Sequence, residues 1–291
     1  MALPWLPGVT ADLANTAWHN LDRNCGLTRA SYGTARLLRQ DPGETRRVVI
    51  SLDIPSPDGD ARDTVLVELL PDDLAHQCAG SGVRFFGASE ILKMGVSECL
   101  EEAIRILAAV PTVLPTIGSL VRALHLIDPQ DDDFDVSFSD PELPFSAFVS
   151  IPGPSVLAGP LRVAEAILHE AMHLQLTIAE SVVPLVMPSE EVYFSPWRDE
   201  YRTAQGVLHA LYVFRAIDGF LAASRFEGAA LGPLRAHARQ RRAMIAGQVR
   251  QLRDFRECAD LTPDGAAFVD RLLSSMHAAS KHEALDIVFR H

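Results

Sequence analysis

Apolar positions three and four residues apart dominate the second half of the chain and predict a run of helices. The stretch "GPLRVAEAILHEAMHLQLTIAESVV" (159–183) has Pro160 in its first turn and stops before Pro184, as one long helix does. "RDEYRTAQGVLHALYVFRAIDGFLAAS" (198–224) predicts a second long helix. "LGPLRAHARQRRAMIAGQVRQLRDF" and "TPDGAAFVDRLLSSMHAAS" predict two more. Between the first two, "PLVMPSEEVYFSPW" reads as an irregular connection.

The first half mixes periods. A short helix is expected around Ala11–Asp22. "RRVVISLDI" and "DTVLVELL" are rich in β-branched residues and flank the turn-forming "PSPDGDARD", the pattern of a hairpin. "FFGASEILKMGVSECLEEAIRILAAV" predicts one amphipathic helix ending before Pro111, with Ser89 and Glu90 near its start. "DVSFSDPELPFSAFVSI" alternates as one or two strands, closed by "PGP". The expected fold is α+β and mainly helical, with a small sheet packed against the helix of residues 159–183. Residues 1–136 would form an N-terminal α+β region, a possible subdomain, and residues 137–291 the region of the long helices, the two making one compact unit. The N-terminal region could recruit a leader segment; its plainer role is to cover the sheet.

Composition narrows the function classes. The 291 residues are 48% hydrophobic, enough to bury a sizeable core. The net charge of −12 argues against a nucleic-acid partner, which wants a basic face. The N-terminus lacks the basic and apolar segments of a signal peptide, and "AAVPTVLPTIGSLV" is short and broken by Pro111 and Pro115, so no membrane partner is expected. Cys25, Cys78, Cys99 and Cys258 are scattered, as reduced cytoplasmic thiols are. "DPQDDDFD" lacks the glycine and terminal glutamate of a calcium loop and reads as a solvated turn. The glycine spacing of "GSGVRFFG" does not fit dinucleotide binding, and Leu157 in "PGPSVLAG" excludes a nucleophile elbow.

One segment carries chemistry. "ILHEAMHLQL" (167–176) sets His169 and His173 four apart on a predicted helix, so both imidazoles project from one face and can chelate one ion. Glu170 points about a third of a turn away, within reach of a bound water or a neighbouring donor. A third ligand must come from elsewhere. Leu176 and Ala179 stand where the three-histidine protease motif needs glycine and histidine. A zinc peptidase would instead draw on Glu190, Glu191 or Glu200 and use Glu170 as general base. His209 is the other candidate, on a stripe of the second predicted helix with Arg202 and Gln205 or Gly206. Arginine beside a metal suits an iron oxygenase, because its planar fork can hold the distal carboxylate of 2-oxoglutarate. Arg202 and Arg198 are both placed for it, and the plainer role of each is a surface ion pair with Asp199 or Glu200.

Three blocks in order, "LPFSAFVSI", "AEAILHEAMH" and "SPWRDEYRTAQGVLHALYVF", resemble the 2-oxoglutarate-dependent, H-E-x-x-H-type peptide β-hydroxylases over residues 143–215. Thr203 departs from the proline that this family usually carries after the second arginine. The resemblance implies Fe(II), 2-oxoglutarate and dioxygen as reactants. It also implies hydroxylation at a β-carbon in a ribosomally made precursor peptide, as in natural-product biosynthesis. It would make His169, His173 and His209 the iron ligands and Arg202, or Arg198, the cosubstrate anchor. Glu170 would orient a ligand or a bound water. "FSAFVSI" has as its first role the completion of a sheet, and it could also pair with an extended peptide by edge addition. A zinc peptidase and a non-catalytic peptide-binding scaffold are the alternatives. His209 as third ligand favours the oxygenase, and a downstream glutamate favours the peptidase.

Overall fold

A computed structural model describes residues 7–27, 48–55, 62–80, 82–93, 95–129, 131, 135–140, 143–226, 228 and 231–274. The fold is α+β and mainly helical with a small mixed sheet. The chain divides into two compact units. One takes the described residues up to Leu174, and the other those from Gln175 onward. The position expected for a boundary, residue 136, falls inside the first unit.

In the first unit, the helix α1 (Pro7–Cys25) precedes the hairpin β1 (Val48–Pro55) and β2 (Arg62–Glu68), which pair antiparallel as the β-branched runs predict. The turn expected at 56–61 lies outside the described residues. A crossover follows through α2 (Asp72–Gly80), β3 (Arg84–Phe85), α3 (Ala88–Ile91), α4 (Val96–Ala108) and α5 (Val113–Leu120). The single helix expected over 85–110 is therefore broken. The first piece ends at Ile91, and Gly95, at φ +108°, a conformation that L side chains rarely adopt, stands at the start of the next.

β4 (Ala123–Asp128) lies parallel to β2 and to β6 (Ser146–Ser150), and β5 (Ser137–Phe138) closes the far edge, giving the order β1-β2-β4-β6-β5 with β3 also on β4. β4 and β6 are buried almost throughout, as strands covered on both faces must be. β6 lies between β4 and β5 and so completes the sheet, its first expected role, and it is not the open edge that the addition of a peptide would need. Gly118 lets α5 seat on β1: a Cβ there would lie 2.4 Å from Cδ1 of Ile54. Trp18 of α1 stacks on Phe145 at 3.7 Å between ring centres. His125 is wholly buried in β4, where it stacks on Phe148 and its Nδ1 lies 3.0 Å from the Glu68 carbonyl.

The long helix α6 (Gly159–Glu180) runs across the division between the units. In the second unit, β7 (Val192–Ser195) and β8 (Glu200–Thr203) form a hairpin, followed by α7 (Ala204–Ala223), α8 (Gly232–Gln251) and α9 (Pro263–Ser274). The hairpin replaces the irregular connection and the first turn of helix that the helical period suggested. Pro196 starts a turn in which Arg198 N–H donates to Ser195 at 3.2 Å, and Asp199 takes φ 53°. Thr203 caps α7: its Oγ1 accepts from Gly206 N–H at 3.3 Å. The unit's core is the apolar side of α7, from Val207 through Phe220. Tyr212 donates to Gln175, and Tyr193 to Asp260 at 2.8 Å. Among the described residues α7 is the one single helix long and apolar enough to cross a membrane, and its apolar window is 56% buried within the fold.

Candidate metal centre

Between Leu161 and Leu174 helix α6 is buried on every side but one. Only Arg162, Ala166, His169 and His173 are partly open, and steps of four, three and four residues put them on a single stripe. The two histidines therefore sit on the one line of this helix that solvent or a ligand can reach. Arg162, at the head of the stripe, is held by the Asp135 carboxylate through Nε at 3.0 and 2.9 Å.

The ring nitrogens converge. His169 Nε2 and His173 Nε2 are 3.1 Å apart, with the rings tilted 64° to each other. Two lone pairs at that separation repel unless a proton or a cation lies between them. Metal–imidazole bonds of about 2.1 Å give edges of about 3.0 Å for adjacent octahedral positions and about 3.4 Å for tetrahedral ones. The observed spacing thus fits one ion of either geometry, and imidazole donors suit zinc, nickel and iron alike.

Glu170 is bonded to the sheet. It is 2% exposed, and its Oε1 accepts from Ser137 Oγ at 2.7 Å, with Ser139 as a second hydroxyl partner. Burial pushes its carboxyl up to about 7, against the downward pull of the two serines. The carboxylate is thus tied to β5, and its Oε1 stands 4.0 Å from His169 Nε2.

His209, on α7 in the second unit, is engaged with Glu180. Its Nε2 lies 2.7 Å from Glu180 Oε2, which also accepts from Gln205 Nε2 at 3.1 Å, and both partners are nearly buried. Arg202 lies on β8 and not on the helix, so the helical stripe proposed for it does not exist. The strand-to-helix turn still brings it to Gly206, where a Cβ would lie 3.4 Å from Arg202 Nε. Its guanidinium is exposed and 3.7 Å from Glu200. Arg198 is exposed at the hairpin turn, and Glu190 and Glu191 are exposed just before β7. The structure thus brings together His169 with His173, Glu170 with Ser137, and His209 with Glu180. Among the described residues it gathers no group of three or more His, Cys, Asp or Glu suited to a metal.

Sequence reasoning missed the partners Ser137, Ser139 and Glu180, and it placed Gln205 beside His209 without giving it a role. The first two had a signal in "VSFS", where hydroxyls two apart fall on one side of a strand. Gln205 stands one helical turn before His209. No family model and no curated protein matches the chain.

Proposed function

We propose that the protein is an Fe(II)- and 2-oxoglutarate-dependent oxygenase that hydroxylates the β-carbon of a residue in a ribosomally made peptide. The observation that carries the reading is the histidine pair: two Nε2 atoms 3.1 Å apart on the one open stripe of a buried helix. His169 and His173 would hold the iron, with His209 as the third protein ligand. Glu180 is then the carboxylate that orients a ligating imidazole. When bound, iron with 2-oxoglutarate and dioxygen supplies the oxidant for C–H hydroxylation; one oxygen atom enters the product and the other enters succinate as carbon dioxide leaves.

The remaining roles belong to the chain. Arg202, with a charged fork exposed beside the α7 N-terminus, would bind the distal carboxylate of the cosubstrate, and Arg198 is the alternative at the same hairpin. Glu170 would fix the pitch of α6 and so the aim of His169 and His173, through its bonds to β5. That arrangement is what weighs against hydrolysis. A peptidase needs its glutamate free to take a proton from the metal-bound water, and this one already accepts from two serine hydroxyls.

The test needs no peptide. Metal-free protein is loaded with Fe(II) under anaerobic conditions and titrated with 2-oxoglutarate while the visible spectrum is recorded. The expected result is a saturable metal-to-ligand charge-transfer band, lost in His173→Ala and His209→Ala and weakened in Arg202→Ala. Absence of the band, with tight zinc binding that survives His209→Ala but not loss of Glu190, Glu191 or Glu200, would put the peptidase first.

A further inference from the structure

Among the described residues, helix α8 is the one strongly basic element of an acidic chain. Its twenty residues, Gly232–Gln251, carry five arginines and no aspartate or glutamate, against a net charge of −12 for the whole chain. Four of the five line up. Arg235, Arg239, Arg242 and Arg250 are separated by four, three and eight residues, which puts them on one stripe, with Ala246 filling the longest gap. All four are exposed, while Ala238, Ile245 and Val249 bury the adjoining face, along one side of the row. Arg241 belongs to that inner side, its guanidinium 5.2 Å from the centre of the Phe214 ring.

Internal pairing does not account for the row. Arg235 donates to the carbonyls of Phe226 and Gly228, and Arg242 Nε to Asp218 Oδ1 at 2.9 Å. Asp218 is already bound by Arg215 at 2.8 Å, so one carboxylate serves two guanidinium groups. Among the described residues no carboxylate pairs with Arg239 or Arg250. Uncompensated like charges on one helix face cost stability, and a chain under no other demand would intersperse glutamate among them.

We propose that this arginine row is a docking surface for an acidic segment of a peptide. The row spans about 22 Å from Arg235 to Arg250, which matches about seven residues of extended chain. Acidic side chains on alternate residues recur about every 6.6 Å, close to the turn-by-turn rise of the arginines. Charge complementarity sets the sign of the partner, and screening within about 8–10 Å keeps the attraction local in spite of the acidic remainder. A duplex or long RNA would run past the row onto that remainder and be repelled. An anionic membrane needs apolar insertion, and between the arginines stand Ala236, Gln240, Ala243 and Ala246, with Met244 as the only large apolar side chain. The choice of a peptide rests on the oxygenase reading; the surface itself does not.

The test uses the full chain, with and without Fe(II). Fluorescence anisotropy follows a fluorescein-labelled dodecapeptide of alternating glutamate and serine, compared with its lysine counterpart, a DNA oligomer and phosphatidylserine vesicles. The expected result is saturable, salt-sensitive binding of the glutamate peptide alone. The triple variant Arg239→Gln, Arg242→Gln, Arg250→Gln is expected to bind about tenfold more weakly, the sum of three modest ion pairs. Arg105→Gln, at an exposed arginine on another helix, is expected to change nothing. If circular dichroism shows the triple variant unfolded, the pair Arg239→Gln, Arg250→Gln decides, with a loss of about threefold expected. No binding, equal binding by the variants, or preference for DNA or vesicles overturns the proposal. A charge-transfer band without peptide binding removes this surface only, and peptide binding without the band removes the oxygenase only.

Discussion

His125 offers a direct measure of how the first unit is held together. It is 0% exposed in β4, and burial drives its imidazole from the ordinary 6.5 down to about 4, although the bond to the Glu68 carbonyl pulls the other way. The folded protein therefore keeps this ring neutral at a pH where the unfolded chain takes up a proton. Stability from this residue is fully present above pH 6.5 and is lost as the pH falls toward 4, because in that window the unfolded state binds the extra proton. At 1.36 kcal/mol per unit, the gap amounts to about 3 kcal/mol, a large part of a typical folding free energy. The perturbation is His125→Gln, which keeps a side-chain N–H and removes the titration. Urea unfolding of both proteins between about pH 7.5 and 4 gives the loss for each, and carboxylates contribute equally to both. The variant is expected to lose about 2–3 kcal/mol less over that range. Equal pH slopes, or an NMR titration of His125 near 6.5, would refute the argument.

Two other predictions follow from close contacts. Gly265 in the first turn of α9 faces the Leu185 backbone, where a Cβ would lie 1.9 Å from the carbonyl oxygen. Because main chain cannot swing aside, Gly265→Ala is expected to cost about 2–4 kcal/mol in chemical denaturation, and a cost under about 0.5 kcal/mol would show that α9 shifts freely. Ser137→Ala removes a hydroxyl from the buried Glu170 carboxylate. Stability should fall by about 1–3 kcal/mol, and divalent-metal affinity should fall with it if Glu170 sets the pitch of α6; unchanged affinity in isothermal titration would remove that role.

Much of the secondary structure was legible because local periodicity decides it. The 3.6-residue pattern gave α1, α6, α8 and α9 near their observed limits, β-branched runs gave β1 and β2, and alternation gave β5 and β6. The failures share a cause. Residues 198–203 fit a helical stripe, yet Pro196 and Asp199 fold the chain into a hairpin, and Thr203 delays the helix to Ala204. "RALHLID" has no period because β4 is buried on both faces, so only its neighbours β2 and β6 reveal it as a strand. The helix expected over 85–110 broke because a local pattern does not register a backbone turn at Gly95.

The same division runs through the site. Sequence alone determined that His169 and His173 share one helix face, since a spacing of four is a turn of helix wherever the helix packs. It also determined the arginine row of α8, for the same reason. Tertiary structure decided which side of each helix stays open and which side chains meet across chain distance. Glu170 found Ser137 thirty-three residues away, and His209 found Glu180 twenty-nine residues away. Neither pairing has a period or a motif; both exist because a buried carboxylate must find a donor, and the fold determines which donor is near.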